Sequence, residues 1–414
     1  MQVDHYEISR HLEGLLPDAL KLLEKMVAIN SFTANREGVN ELGKLTAEIY
    51  AELGFRSRFV PTVNRERGDH LILESDGRSA GEQPVIAMIS HLDTVFPEEE
   101  ERRNHFYWRQ EGDRIYGPGT VDIKGGTIII YLVLLTLQAL YPHVFESTRW
   151  ILLFNAAEEI LDPGFGQTAR SIIPLDALAC LVFEAGRMRE KRFSIVAARK
   201  GMATYQVEAE GKAAHAGSSH HHGANAITQL ARAVDAIAEL TDYERNITFN
   251  VGSFQGGTVS NRVPHHAVAR GELRAYSASL MEEGINSLLS LENNNSVKSH
   301  AGDYSCSVRV KIRQRWGPWP PNESTDALLA LWQQAAHEMG MEVERQERGG
   351  LSDANFIWDH VPTLDGLGPS GGNAHCSERS ADGTKEQEYL DAPSIVPKAT
   401  LNVLALLRLL APHV

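Results

Sequence analysis

The chain has 414 residues, 43% hydrophobic and 23% charged, with a formal net charge of −14. That length exceeds one ordinary core and predicts two domains, and the composition is that of a globular enzyme. The acidic balance argues against a nucleic-acid partner, which would need a basic surface.

The N-terminal third alternates helix-like and strand-like runs. Residues 12–28 and 40–53 carry apolar side chains at helical spacing. Short apolar runs at 84–90 (PVIAMIS), 150–154 (WILLF) and 177–183 (ALACLVF) suit buried strands. Between the first two lies an uncharged stretch, Gly126 to Tyr141, ended by Pro142. It falls short of the roughly 20 residues a membrane span requires, so it predicts a buried helix and no membrane association. Together these runs predict an α/β layer with helices on both faces.

The pattern changes near Ala198. Residues 202–210 alternate like a half-exposed strand, 223–240 form an amphipathic helix, and strand-like alternation returns at 246–254, 266–276 and 304–313. This predicts a small α+β domain inserted into the larger one. Its end is marked by the WGPWPP break at 316–321, after which helix 325–339, a strand near 341–347 and a helix near 393–410 complete the first domain. The expected division is 1–198 and 314–414 for the catalytic domain and 199–313 for the insert. The three cysteines, Cys180, Cys306 and Cys376, form no C-x-x-C pair, so neither a disulfide framework nor a thiolate zinc site is expected. Residues 1–10 lack a basic segment followed by an apolar one, so no signal peptide is expected and the chain reads as cytoplasmic.

The chemistry sits where the apolar runs end. The first ends in His91-Leu92-Asp93, the second leads to Glu158-Glu159, the third ends in Glu184, and 362–368 leads through a Gly-rich turn to His375. Ligands bind at the carboxyl ends of strands in open α/β sheets, so these residues could share one crevice. Asp122 precedes Lys124-Gly125-Gly126 at the start of the apolar helix, whose N-terminus favours a carboxylate. Histidines and carboxylates without cysteine suit a catalytic Zn²⁺ site, and a carboxylate can bridge two metals. Asp93 is placed to accept the second ring N–H of His91. Adjacent side chains on extended backbone point apart, so one member of Glu158-Glu159 could bind metal while the other faces water as a base.

Other readings stay open here. Gly368-Pro369-Ser370-Gly371-Gly372 fits the G-x-S-x-G nucleophile elbow, which needs a helix directly after the serine. A metal-free binding protein is another possibility, although it would be expected to have lost ligands. The triplet His220-His221-His222 invites a metal reading, but in a Ser/Gly loop it is expected to be solvent-exposed.

SHLDTVFP (90–97), YGPGTVDIKGG (116–126), NAAEE (155–159), FEAG (183–186), GKAAHAG (211–217) and NAHCSE (373–378) resemble the dinuclear-zinc aminoacylase/carboxypeptidase family. The nearest look is to its glutamate carboxypeptidase branch. The resemblance implies a mixed-sheet, zinc-exopeptidase-like catalytic domain with an inserted lid or dimerisation domain, two Zn²⁺ per chain (Co²⁺ or Mn²⁺ as substitutes) and a homodimer. It implies that Asp122 bridges the metals, with His91 and Glu184 on one and Glu159 and His375 on the other. Glu158 would be the general base, Asp93 the clamp on His91, and His215 the donor to the oxyanion. Asn261 and Arg274 would hold the substrate α-carboxylate. Arg192, within the basic cluster Arg187, Arg189, Lys191 and Arg192, would face an acidic side chain. The implied substrate is a small N-acyl amino acid or peptide-like molecule losing a C-terminal, acidic amino acid, with N-acyl-amino-acid deacylation as the alternative. The residues after Glu159 (ILDPGFG) and the stretch from Glu378 to Glu388 depart from the family pattern.

Overall fold

The computed structural model describes residues 4–75, 83–292 and 295–413. They form two compact units, one of Met1–Ala197, Pro321–Glu347 and Ser352–Val414, the other of Ala198–Pro320 with Arg348–Leu351.

The larger unit is built on a six-stranded mixed sheet. Strands β1 (Phe55–Pro61), β2 (Asp69–Ser75), β3 (Val85–His91), β4 (Arg149–Asn155) and β5 (Ala179–Val182) join the short strand Thr363–Leu364. The order is β1-β2-β4-β3-β5-(363–364). The β3, β4, β5 and 363–364 strands run parallel, and β1 and β2 add an antiparallel edge. Every residue of β3 is buried, which is why it reads as an unbroken apolar run instead of an alternation.

Helix Gly125–Leu140 is apolar on all sides because it is covered on all sides. Ile128, Ile129, Ile130, Leu132, Val133 and Leu134 are all buried, and it packs against helices His5–Val27 and Ile395–Leu410. The segments Thr120–Leu140 and Ala392–Leu410 are long and apolar enough to cross a membrane, yet most of each lies inside this core. The second had no counterpart among the sequence-based membrane candidates. Gly126 permits the close approach that this packing needs, since a Cβ there would lie 2.1 Å from the carbonyl oxygen of Phe183.

The smaller unit is a four-stranded antiparallel sheet with two helices. Strands β6 (Gly201–Glu210), β7 (Thr248–Gly256), β8 (His266–Ala275) and β9 (Ser307–Trp316) are ordered β7-β8-β6-β9. Alternate residues of β6, namely Ala203, Tyr205, Val207 and Ala209, form a core with Leu230, Ala233 and Ile237 of helix Ala226–Ala238 and Ile285 and Leu288 of helix Ala278–Leu289. Asn225 and Ser277 cap these helices by accepting first-turn N–H groups.

Candidate metal centre

Parallel pairing brings the strand ends together. His91 lies opposite Asn155, and the Leu92 N–H donates to the Asn155 carbonyl at 2.7 Å. The Phe183 N–H donates to Ile89 at 2.9 Å, which puts Glu184 beside the end of β3. Asp122 arrives from the other direction, in a turn at Thr120–Lys124 whose backbone departs from helical geometry at Asp122 and Ile123. The helix proper begins at Gly125, so Asp122 precedes its N-terminus.

Each oxygen of Asp122 faces one imidazole. His91 Nε2 is 3.1 Å from Oδ1, and His375 Nε2 is 3.3 Å from Oδ2. His91 Nε2 is also 3.7 Å from Glu184, and His375 Nε2 is 3.1 Å from Glu159. Ligand atoms of His91, Glu158 and Glu184 lie within 4.8 Å of one another, as do those of His91, Asp122 and Glu159. The five residues expected as ligands thus gather with Glu158, whose carboxylate is as close to His91 as a ligand would be.

Electrostatics fit this donor set to cations. Burial pushes the Glu158 and Glu159 carboxyls above the usual range, and neighbouring carboxylates add to the shift. Burial opposes charge on His91, but Asp122, Glu158 and Glu184 outweigh it and hold the imidazole well above its ordinary value. Hydrogen bonds to Asp122 and Glu159 raise His375 to about 10. Burial also works against charge on Asp122, yet the two imidazoles hold its carboxyl well below the usual range. Without other cations the centre limits its negative charge by protonating imidazoles and raising buried carboxyls, a task that divalent metals perform with less protonation.

Two local expectations are corrected. The clamp on His91 is the backbone carbonyl of Asp93, which accepts from Nδ1 at 2.9 Å, while the Asp93 carboxylate stands 3.6 Å away. That carboxylate instead accepts from the Glu158 and Glu159 N–H groups at 3.0 and 3.3 Å and from Thr33 Oγ1 at 2.7 Å. It therefore holds the Glu158-Glu159 turn, while the backbone bond leaves Nε2 of His91 facing Asp122. Glu158-Glu159 is also not extended; it opens a 3₁₀ turn, Glu158–Ile160. The apolar residues that follow place Leu161 in the left-handed region and lead into helix Pro163–Ile172, capped by Asp162.

Sequence reasoning missed Asp353. It is buried, accepts from Asn155 Nδ2 at 2.8 Å, and burial raises its carboxyl to about 7. Asn155 in turn accepts from the Ala157 N–H at 2.9 Å, so Asp353 braces the same turn from behind. Nothing in the local sequence Leu351-Ser352-Asp353-Ala354 signals this.

His215, Asn261 and Arg274 belong to the smaller unit. His215 pairs with Arg262, and the Ala216 N–H donates to the Asn261 carbonyl at 2.9 Å, so His215 and Asn261 are neighbours. The Gly217 and Ser218 N–H groups both donate to His215 Nδ1 at 3.1 Å, leaving the ring proton on the exposed Nε2. Arg274 is held by Glu272 at 2.8 Å and by the Gly349 carbonyl at 2.8 Å.

Arg192 is not drawn into the cluster. It lies exposed at the start of strand Arg192–Arg199, with its guanidinium 3.2 Å from Glu342. It lines a surface cleft with Arg187, Arg189, Lys191, Glu342 and Glu344. The His220-His221-His222 triplet is exposed and belongs to neither ligand group found among the described residues. Ser370 is followed by the strand Gly371–Gly372 in place of a helix, and its hydroxyl donates to Asp391 at 3.2 Å, so it forms no nucleophile elbow.

Residues 87–396 match the Peptidase family M20/M25/M40, and the chain belongs to that family of metal-dependent peptidases and amidohydrolases. Carboxypeptidase G2 of Pseudomonas sp. (strain RS-16) is 28% identical over 387 residues, covering 92% of this chain and 86% of that protein. An acetylornithine deacetylase of Edwardsiella ictaluri is 26% identical, covering 93% of this chain and 96% of its own. Among solved structures, aminopeptidase PepT of Bacillus cereus has a TM-score of 0.74 at 21% identity, over 95% of this chain and 98% of its own. The YXEP protein of Bacillus subtilis, a dinuclear metal binding peptidase, has a TM-score of 0.62 at 16% identity, over 96% and 99%. The two structural likenesses concern the fold.

Proposed function

We propose that the protein is a two-metal carboxypeptidase-like hydrolase that releases a C-terminal amino acid from a small N-acyl amino acid or peptide-like substrate. The observation that carries this reading is Asp122, whose two oxygens each face one imidazole, as expected of a bridging carboxylate. His91 and Glu184 would hold one metal, Glu159 and His375 the other, and Zn²⁺ suits this nitrogen and oxygen donor set, with Co²⁺ or Mn²⁺ as substitutes. When bound, such metals supply Lewis acidity and lower the pKa of water.

The chain's own residues account for the proton and charge handling. Glu158 is buried with a raised pKa, which suits a base that takes a proton from water and returns it to the leaving amine. Asp93 fixes the direction of Glu158 through its backbone N–H. His215 presents Nε2–H, the donor needed by an oxyanion that develops only in the transition state. Asn261 and Arg274 would bind the substrate α-carboxylate, for which a guanidinium offers two parallel hydrogen bonds. The smaller unit would carry the lid or dimerisation role, and the outer edge of β7, with several exposed residues, offers backbone groups to a second copy.

The similarity to carboxypeptidase G2 supports the peptidase form, and that to acetylornithine deacetylase keeps N-acyl-amino-acid deacylation as the second reading. A preference for acidic side chains draws no support from Arg192, whose partner is Glu342. Metal analysis with a panel of N-acyl amino acids tests the proposal: about two metal equivalents and hydrolysis of at least one substrate are expected. A folded protein that retains no metal and splits none of them refutes it. Equal rates on N-acyl-glutamate and N-acyl-leucine would remove the acidic preference alone.

A further inference from the structure

Glu388 lies thirteen residues beyond His375 and is fully buried. Its Oε1 accepts from two consecutive backbone N–H groups, Val121 at 3.0 Å and Asp122 at 3.2 Å. Its own N–H donates to the carbonyl of Cys376 at 2.7 Å, one residue after His375. One residue therefore grips the turn that carries Asp122 with its side chain and the segment that carries His375 with its backbone.

The surroundings hold this grip in place. Glu386 accepts from Tyr116 Oη at 2.9 Å and from Asn373 Nδ2 at 3.1 Å. Gln387 Nε2 donates to the carbonyls of Asn104 at 3.0 Å and Ser377 at 2.9 Å. Tyr389–Asp391 then pairs as a strand with Arg114–Tyr116. The segment that follows His375 thus ends on three consecutive residues that each fasten its loop. A second shared feature is the backbone: Asp122 has non-helical angles and His375 a φ of +67°, so neither conformation is secured by regular structure. Buried N–H groups left without an acceptor are costly, and a single oxygen of the Glu388 side chain gives both of these N–H groups their acceptor.

We propose that Glu388 is a positioning residue of the metal centre, a clasp that sets Asp122 and His375 at the spacing needed to share metals. This rests on the reading of Asp122 and His375 as ligands. It touches neither substrate nor reacting atoms, so it acts through the ligands alone.

The test compares two substitutions. Glu388→Gln keeps the reach and one acceptor oxygen; Glu388→Asp keeps the carboxyl group but shortens the reach by one methylene. Metal retention is measured by elemental analysis after exposure to graded chelator, beside circular dichroism and the kcat and KM for a substrate of the wild-type protein. The glutamine variant is expected to keep both metals at affinity within about threefold, and the aspartate variant to lose about tenfold or more, with kcat falling more than KM. A folded aspartate variant that holds metal and turns over like wild type overturns the proposal. So does a glutamine variant that loses metal, which decides the matter even if the aspartate variant does not fold. A wild-type protein that binds no metal refutes the underlying functional reading instead, before either variant is compared.

Discussion

His91 and His375 face the same carboxylate from opposite kinds of setting. The His91 side chain is 1% exposed at the end of a central parallel strand, whereas that of His375 is 53% exposed on a loop. His91 is fixed by strand pairing and by the Asp93 carbonyl, and its neighbours Glu158 and Glu159 are held by the Asp93 carboxylate. His375 relies on a left-handed backbone conformation and on the fastenings of residues 386–388. One half of the centre is built into the core, and the other is laid over it. A buried half gives a precise base, and an exposed half leaves room for a substrate to enter.

The largest effect expected from the buried half is on chemistry. Glu158→Ala should lower kcat by about 10²- to 10⁴-fold while elemental analysis still finds both metals. Normal turnover in this variant would remove Glu158 as the base.

The pH dependence of folding should also belong to the buried half. Burial raises Asp353 to about 7 from 3.8, so the folded chain keeps a proton that the unfolded chain releases between those values. Its contribution to stability is fully present below about pH 4 and is lost as pH rises through 7. Urea unfolding of metal-free protein at pH 4.5 and 8 should show Asp353→Asn less pH-dependent than wild type, by on the order of 3 kcal/mol. Parallel pH curves for the two proteins would contradict this.

Removing either imidazole sharpens the contrast directly. In metal-free protein, His91→Ala leaves a buried gap and an unpaired Asp93 carbonyl, a loss of about 1–3 kcal/mol. His375→Ala removes a half-exposed side chain whose ion pairs with Asp122 and Glu159 are partly screened by solvent, so it should cost less, about 1 kcal/mol, together with one of the two metals. Equal destabilisation by both would break the comparison. The smallest effect is expected outside the centre, where Arg192→Ala should change stability by less than about 0.5 kcal/mol and leave relative rates on acidic and apolar substrates unchanged.

The same contrast governs how much could be read from sequence. His91, Glu159 and Glu184 were legible because each closes an apolar run, and parallel pairing carries such positions to one edge. Asp122 and His375 lie in irregular turns, and it was the surrounding motifs YGPGTVDIKGG and NAHCSE that marked them. What escaped detection depends on contacts distant in sequence. Asp353 meets Asn155 across 198 residues, and Glu388 meets Asp122 across 266. The assignment of the clamp to the Asp93 side chain failed for a different reason: a backbone carbonyl carries no residue signature, so pattern reading credits the side chain. The 3₁₀ form of Glu158-Glu159 was likewise hidden, because its cause is a carboxylate 65 residues away.

The discontinuity of the larger unit bears on how the protein is made. The smaller unit is continuous over Ala198–Pro320 apart from four later residues, so its sheet and helices are available as soon as that stretch has left the ribosome. The larger unit must wait for helix Ile395–Leu410, whose side chains belong to the same core as β3 and β4. Between the synthesis of Glu184 and that of His375, roughly ten to forty seconds pass at ordinary elongation rates. Through that interval the nascent chain carries four carboxylates and a single histidine of the centre, and for most of it the sheet edge lacks the strand at 363–364. Translation thus delays the completed centre until His375 and the helix Ile395–Leu410 have been made.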